Sequence, residues 1–495
     1  MGILTQLILV PLLGMVVLMF LPKQNKWAIR WTATVFSAIP CIQSLWLLVD
    51  YYSNYSGSAA MAYMEGPFEW IPALNVQYIL GVDGISVPLL ALTGLLSLIS
   101  VVASFNIEIR VKEYFAFFLL LEAGMMGVFS ALDFFLFYVF WEIMLVPMYF
   151  LIGVWGGPRK EYAAIKFFLY TLFGSIFMLV SILILYFYTE PHTLNILELI
   201  QRGSMLPYTL QMICFVFFFI AFAIKVPVWP FHTWLPDAHV EAPTAVSVIL
   251  AAVLLKMGTY AMLRISWPMF PAALHDAAFW VGLLGLIGII YGALVSMAQK
   301  DLKKLVAYSS VSHMGFCMVA LAAYNSEQAI AGCMFQMISH GLLTGALFLL
   351  VGVLYDRAHT REIAAFGGLG AKLPVYTAMM VFFAMGSLGL PGMSGFVSEF
   401  MIFVGSFGVM DHKWIVGGAV LGVLLGAAYL LRMVQRVFLG PFDEDKWGGL
   451  TDINLREILT VAPLMLLTLW IGMYPKPFSI LMTSTLQNLI SLMSR

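Results

Sequence analysis

Apolar runs close to twenty residues long recur along the whole chain, and nothing else in it constrains the fold so strongly. An α-helix rises 1.5 Å per residue, so about twenty apolar residues cross the hydrocarbon layer of a bilayer. Such runs occupy residues 3–22, 31–49, 85–104, 114–131, 133–155, 163–188, 208–229, 243–265, 278–297, 305–323, 328–354, 374–407, 412–438 and 455–474. In lipid, each backbone N–H and C=O must find a partner inside the protein, which makes runs of this length helices. The expectation is an all-α polytopic membrane protein with about fourteen transmembrane helices. Composition agrees. Of 495 residues, 62% are hydrophobic and only 10% charged, against about 25% charged in ordinary soluble domains. Residues 1–20 lack a basic lead and a cleavage signal, and read as a first helix rather than a signal peptide.

Several function classes drop out. A net charge of −1 without a basic stripe excludes a nucleic-acid binder. Cys41, Cys214, Cys317 and Cys333 form no CxxC pair, and each sits in apolar sequence. Core packing is the expectation for them, and iron–sulfur or zinc ligation is not. There is no P-loop and no strand-linked GxGxxG, so no cofactor or metal is expected in this chain.

Lys and Arg gather in every second loop, among them Lys23, Lys26, Arg110, Arg159, Lys160, Lys300, Lys303 and Lys304. Those loops are expected on the cytoplasmic side and both termini on the other, periplasmic side if the host is bacterial. The long connection 50–84 carries no Lys or Arg and leans polar. Two predicted helices, the seventh and the twelfth, are broken: one by Pro227 and Pro230 after Lys225, the other by the Gly-Pro-Gly run 389–395 before Glu399. Paired breaks at matching positions mark internal repeats in transporters. An offset of five helices gives the two repeats opposite topology. The chain then divides into three N-terminal helices with a long outside loop (1–113), a first five-helix repeat (114–266), an inverted second repeat (278–440), and a last helix with a short tail (454–495).

Ionisable groups inside apolar runs carry the chemistry. They are Glu122, Glu142, Lys166, Lys225, Lys256, His313, His340 and Glu399. A charge at a transmembrane helix centre costs roughly 2.5–3.5 kcal/mol or more, so such groups face protein or water and mark ion or proton pathways. Acids, lysines and histidines alternate along the chain, and joined by water they can pass protons along. Other readings stay open beside this one. Glu142 and Lys225 can be a static buried ion pair, and His313 and His340 hydrogen-bonded core histidines. Glu122 can pack against a neighbouring subunit, and Lys166 can snorkel to the interface. His232, Asp237, His239 and Glu241 have metal-like spacing in 231–242, but Pro236 and Pro243 disrupt regular geometry there. A polar re-entrant connection is the expectation.

The stretch AIKVPVWPFHTWLPDAHVEAPTAVSVILAAV (223–253) resembles the proton-translocating antiporter-like subunits of respiratory complex I. So do LGVDGISVPLL (80–90), FYVFWEIMLVPMYFLIGVWGG (137–157), KDLKKLVAYSSVSHMGF (300–316), ISHGLLTGALFLLVGVLYDR (338–357) and LPGMSGFVSEF (390–400). Mrp-type sodium/proton antiporters share this fold and part of the motif set. Among the three antiporter-like kinds the chain looks most like the M type, counterpart of mitochondrial chain four. It ends soon after its bundle, and its broken twelfth helix holds Glu399 where the L and N types have lysine. The resemblance implies that Glu142 and Lys225 are the charge pair whose opening and closing moves a proton. It makes Lys256 the central lysine, His313 and His340 members of the connecting water path, and Glu399 the exit-side acid. It implies no redox centre here: flavin, iron–sulfur clusters and quinone belong to partner subunits. The implied partners are the neighbouring L and N subunits and membrane lipids, in a bacterial inner membrane or its mitochondrial equivalent. A sodium/proton antiporter subunit and a purely structural membrane spacer are the rival functions.

Overall fold

The structure is a computed structural model that describes residues 2–494. Thirteen helices among them are long and apolar enough to cross a membrane, and two shorter apolar helices follow one another in the chain. They are α1 (Ile3–Phe20), α2 (Lys26–Asn54), α3 (Ser86–Ala103), α4 (Val111–Ser130), α5 (Phe134–Trp155), α6 (Lys160–Tyr188) and α7 (Tyr208–Lys225). A short helix, α8 (Trp234–Glu241), follows the break after α7. Then come α9 (Thr244–Met269), α10 (Pro271–Ala298), α11 (Leu302–Ala322), α12 (Glu327–Ala358) and the halves α13 (Pro374–Ser387) and α14 (Ser394–Val409). The order closes with α15 (Lys413–Phe438), α16 (Leu455–Met473) and α17 (Lys476–Met493).

Burial sorts these helices. The spans of α9, α11 and α12 are almost wholly enclosed, whereas α1, α2 and α16 bury only a third of theirs. A helix apolar all round is buried, in a protein core or in a membrane. Here the most enclosed helices are also those that carry Lys256, His313 and His340.

Three features depart from the sequence reading. The connection 50–84 is not merely a polar loop: β1 (Ala62–Ile71) and β2 (Val76–Val82) pair antiparallel as a hairpin. Its Glu65 carboxylate accepts the Leu4 N–H at 2.7 Å, satisfying a donor that the first turn of α1 cannot satisfy internally. Residues 231–242 are not irregular either, because eight of them form α8. Pro236 is tolerated since it lies in the first turn, where an N–H has no intrahelical acceptor. The tail after residue 475 is the helix α17, docked by the Thr485 hydroxyl accepting the Gly84 N–H at 3.0 Å.

The predicted breaks are present. The helix α7 stops at Lys225, and α13 and α14 are separated by residues 388–393. A third interruption falls in α5 at Met144, four residues after Phe140 and three before Pro147. Pro147 has no N–H to give the Ile143 carbonyl, so the ladder is cut beside Glu142.

Candidate functional site

The helix α9 contains two π-helical turns, Leu250–Leu254 and Met262–Ser266. Such widened turns shift the following residues around the axis and recur at functional sites. The first one presents the Ala251 carbonyl to the side chain of Lys256, whose Nζ donates to it at 2.5 Å. The same Nζ lies 2.6 Å from Nδ1 of His340 on α12. Gly341 makes this approach possible: a Cβ there would stand 3.0 Å from the Ala252 carbonyl oxygen, so a larger residue would push the helices apart.

From His340 the series continues. Its ring centroid is 5.7 Å from that of His313 on α11. His313 Nδ1 is 3.7 Å from Glu399 Oε1 on α14, and its Nε2 is 3.3 Å from the Ser387 hydroxyl at the end of α13. Lys256, His340, His313 and Glu399 therefore form one file of side chains across four crossings, each no more than 6% exposed. A small cavity runs beside the file, lined by both histidines, Ser339, Ser387 and Glu399. About 10 Å³ of it is open to the centre of a water-sized molecule, close to the space one water needs. The free His340 Nε2 has no protein partner and is available to such a water.

The break between α13 and α14 is built for this contact. Gly389 has φ +83°, which residues with a Cβ rarely adopt, and a Cβ there would stand 2.8 Å from Glu399 Oε2. Beyond it, Ser398 donates to Gln336 Oε1 at 2.5 Å, and Gln336 Nε2 donates to the His313 carbonyl at 3.3 Å. These bonds hold α14, α12 and α11 in one register.

Lys225, at the end of α7, is buried, and its Nζ has no hydrogen-bond partner in the chain. It stands 5.1 Å from the centre of the Trp141 ring, a cation–π distance. Glu142, the next residue, feels its charge, but the two do not form a direct ion pair, so the static buried pair that the sequence left open is not present and the pair stands open here. Lys166 does not snorkel away. Its Nζ pairs with Asp237 on α8 at 2.7 Å, fastening that helix to α6. Glu122 faces inward among the N-terminal helices rather than outward toward a neighbour.

Two residues were not singled out by sequence as members of the site. Lys303, counted among the loop charges, is buried and donates to the Ala242 carbonyl at 2.5 Å. It lines a cavity of about 250 Å³ with Glu241, Asp356, Arg361 and Asn106, open at the end of the bundle where Lys and Arg collect. His239 on α8, fully buried, stacks on Phe348 at 4.6 Å with both ring nitrogens unpartnered. It lies within electrostatic reach of both Lys303 and Lys256. The run KDLKK held a signal for Lys303: Asp301 caps α11 by accepting the Lys303 and Lys304 N–H groups, so both lysines are helical, and successive helical residues point to different faces. The four cysteines are buried and free.

Residues 131–426 match the family described as the transmembrane part of the NADH:quinone oxidoreductase/Mrp antiporter proteins. NADH-quinone oxidoreductase subunit M of Rhodobacter capsulatus is 44% identical over 472 residues, covering 93% of this chain and 90% of that protein. NADH-ubiquinone oxidoreductase chain 4 of Prototheca wickerhamii is 43% identical over 487 residues, covering 95% and 91%. Among solved structures, a chain of respiratory complex I from Thermus thermophilus superposes with a TM-score of 0.87 at 28% identity, over 99% of both chains.

Proposed function

The chain belongs to the NADH:quinone oxidoreductase/Mrp antiporter membrane family, and from that premise we propose that it carries protons across the membrane as the M-type subunit of NADH-quinone oxidoreductase. One observation carries the reading: four titratable side chains from four separate crossings meet in a buried file, Lys256–His340–His313–Glu399. Buried ionisable groups at bilayer depth are costly, and a continuous row of them is a proton path rather than a packing device. The Lys303 cavity is the uptake end, and His239 lies between it and Lys256. Lys225 and Glu142 stand to one side. Closing their open pair changes the field at Lys256 and drives its proton toward Glu399.

The finer placement is part of the same proposal. The end rich in Lys and Arg faces the cytoplasm of a bacterial inner membrane, with both termini on the periplasmic side. Two inverted five-helix units, 114–266 and 278–440, are supported by the matching breaks at Lys225 and at 388–393. L- and N-type subunits are its membrane neighbours, and flavin, iron–sulfur clusters and quinone reside in other subunits. The exchange of sodium for protons is the alternative that the shared family admits. The extended identity with M subunits favours the respiratory reading.

The test is His313→Leu in the assembled complex, reconstituted in vesicles. The substitution puts an apolar side chain of similar bulk in place of the imidazole and cuts the file. Quinone reduction without its full proton yield is expected. An unchanged yield of protons per NADH would overturn the proposal.

A further inference from the structure

The N-terminal helices enclose an acid that the Lys256–Glu399 file does not use. Glu122 of α4 is fully buried, and neither carboxyl oxygen has a hydrogen-bond partner in the chain. Its polar neighbours come from α2: the Ser37 hydroxyl, itself without a partner, and Cys41. At that level α3 presses against α2, because a Cβ on Gly94 would stand 2.5 Å from Ser44 Oγ and 2.9 Å from Cys41 Cα.

Ser97 and Ser100 of α3 and Ser104, which caps its end, lie three and four positions apart, hence on one face. All three are buried, and the hydroxyls of Ser97 and Ser100 have no partner. Ser104 Oγ meets the Tyr114 hydroxyl of α4 at 2.9 Å, and both residues line the Lys303 cavity. The two helices run antiparallel from that contact. Ser97 and Glu122 each lie about two turns, roughly 10–12 Å, further into the bundle. They therefore stand at the same depth, and Ser97 is the inner end of a face of hydroxyls that begins in the cavity.

A carboxylate with one hydroxyl beside it and no cation has little support at this depth, whereas a carboxylic acid needs no cation. We propose that Glu122 is a second proton-binding site, a side store filled from the Lys303 cavity along the Ser104–Ser100–Ser97 face. A proton arriving by this route converts the carboxylate to the acid, and the same proton leaves by the same face. The inference extends the proposed function and rests on it only in taking the carried ion to be a proton.

Infrared spectroscopy of the assembled complex in lipid tests it. The wild type minus Glu122→Gln difference spectrum should contain the C=O band of a protonated carboxyl, and the band should shift down in D₂O buffer. Ser97→Ala and Ser100→Ala remove hydroxyls that hold nothing else, so the fold should survive, and the shift should slow severalfold. A spectrum without the band would overturn the site. A band that never shifts, or that shifts equally fast in both serine variants, would overturn the route. Because the readout is spectroscopic, these results stand apart from the His313→Leu pumping result, and either conclusion can fail without the other.

Discussion

Lys256 and His340, separated by 84 positions in the chain, meet with Nζ 2.6 Å from Nδ1. An amine and an imidazole nitrogen at that distance share one proton, and neither heavy atom needs to move for it to change owner. The π-turn of α9 aims the lysine, and Gly341 lets α12 come close enough to receive it.

Replacing Lys256 separates charge from proton transfer. Lys256→Ala removes both, and Lys256→Arg keeps the charge on a group that does not deprotonate. A hydrogen bond to a charged group contributes about 1.5–3 kcal/mol, so both variants should slow proton delivery roughly 10–100-fold. The rate of proton uptake, measured beside the rate of NADH oxidation in reconstituted vesicles, is the measurement. Full activity of Lys256→Arg would reduce the lysine to a fixed charge.

Gly389→Ala should loosen the far end of the file. The backbone at φ +83° and the nearby Glu399 oxygen both oppose a Cβ, a strain of about 1–3 kcal/mol. Thermal unfolding of the complex should begin earlier and the pumping rate should fall, while Gly408→Ala, where a Cβ has open space, should change neither.

Arg264 and Asp83 form an ion pair buried away from the file, with side chains 4% and 2% exposed. Removing one partner leaves the other charge without compensation, at a cost of about 3–5 kcal/mol. Arg264→Met should therefore impair assembly of the complex, assayed by native electrophoresis. The double change with Asp83→Asn should recover much of the loss. A single variant as damaging as the double would rule out the pair as the reason.

Glu108, exposed in the loop between α3 and α4, is bonded by Lys26 and Arg30, which hold its carboxyl below the ordinary range. A lowered folded-state value means that the contribution is present at neutral pH and fades as the pH falls through the carboxylate range. Glu108→Gln should leave pumping untouched at pH 7. Any difference in thermal stability from wild type should shrink on acidification, and a difference that grows toward acid would contradict the assignment.

Much of this was legible in the linear order of residues. The length of the apolar runs implied a helical membrane chain of about fourteen spans, against thirteen long apolar helices found, because backbone hydrogen bonding in lipid leaves few alternatives. Pro227, Pro230 and Pro391 marked the breaks, because proline withholds a donor. The hairpin was not legible. Gly66 and Pro67 interrupt its alternation, and its register shifts three times along the pair. The helix α17 left a signal that went unread: its buried Leu481, Met482, Thr485, Leu486 and Leu489 recur at helical spacing.

From the residues alone followed the kind of solvent the chain lives in, that it crosses many times, and which charges must hide from lipid, since each depends on local composition and backbone chemistry. Only the packed helices decided which of those charges touch. Lys256 finds His340 rather than Lys225 or Glu142, and Lys303 turns inward while Lys304 beside it does not share its burial. Contacts of this kind depend on where one helix crosses another, which glycines and widened turns set to within an ångström and which no run of neighbouring residues encodes.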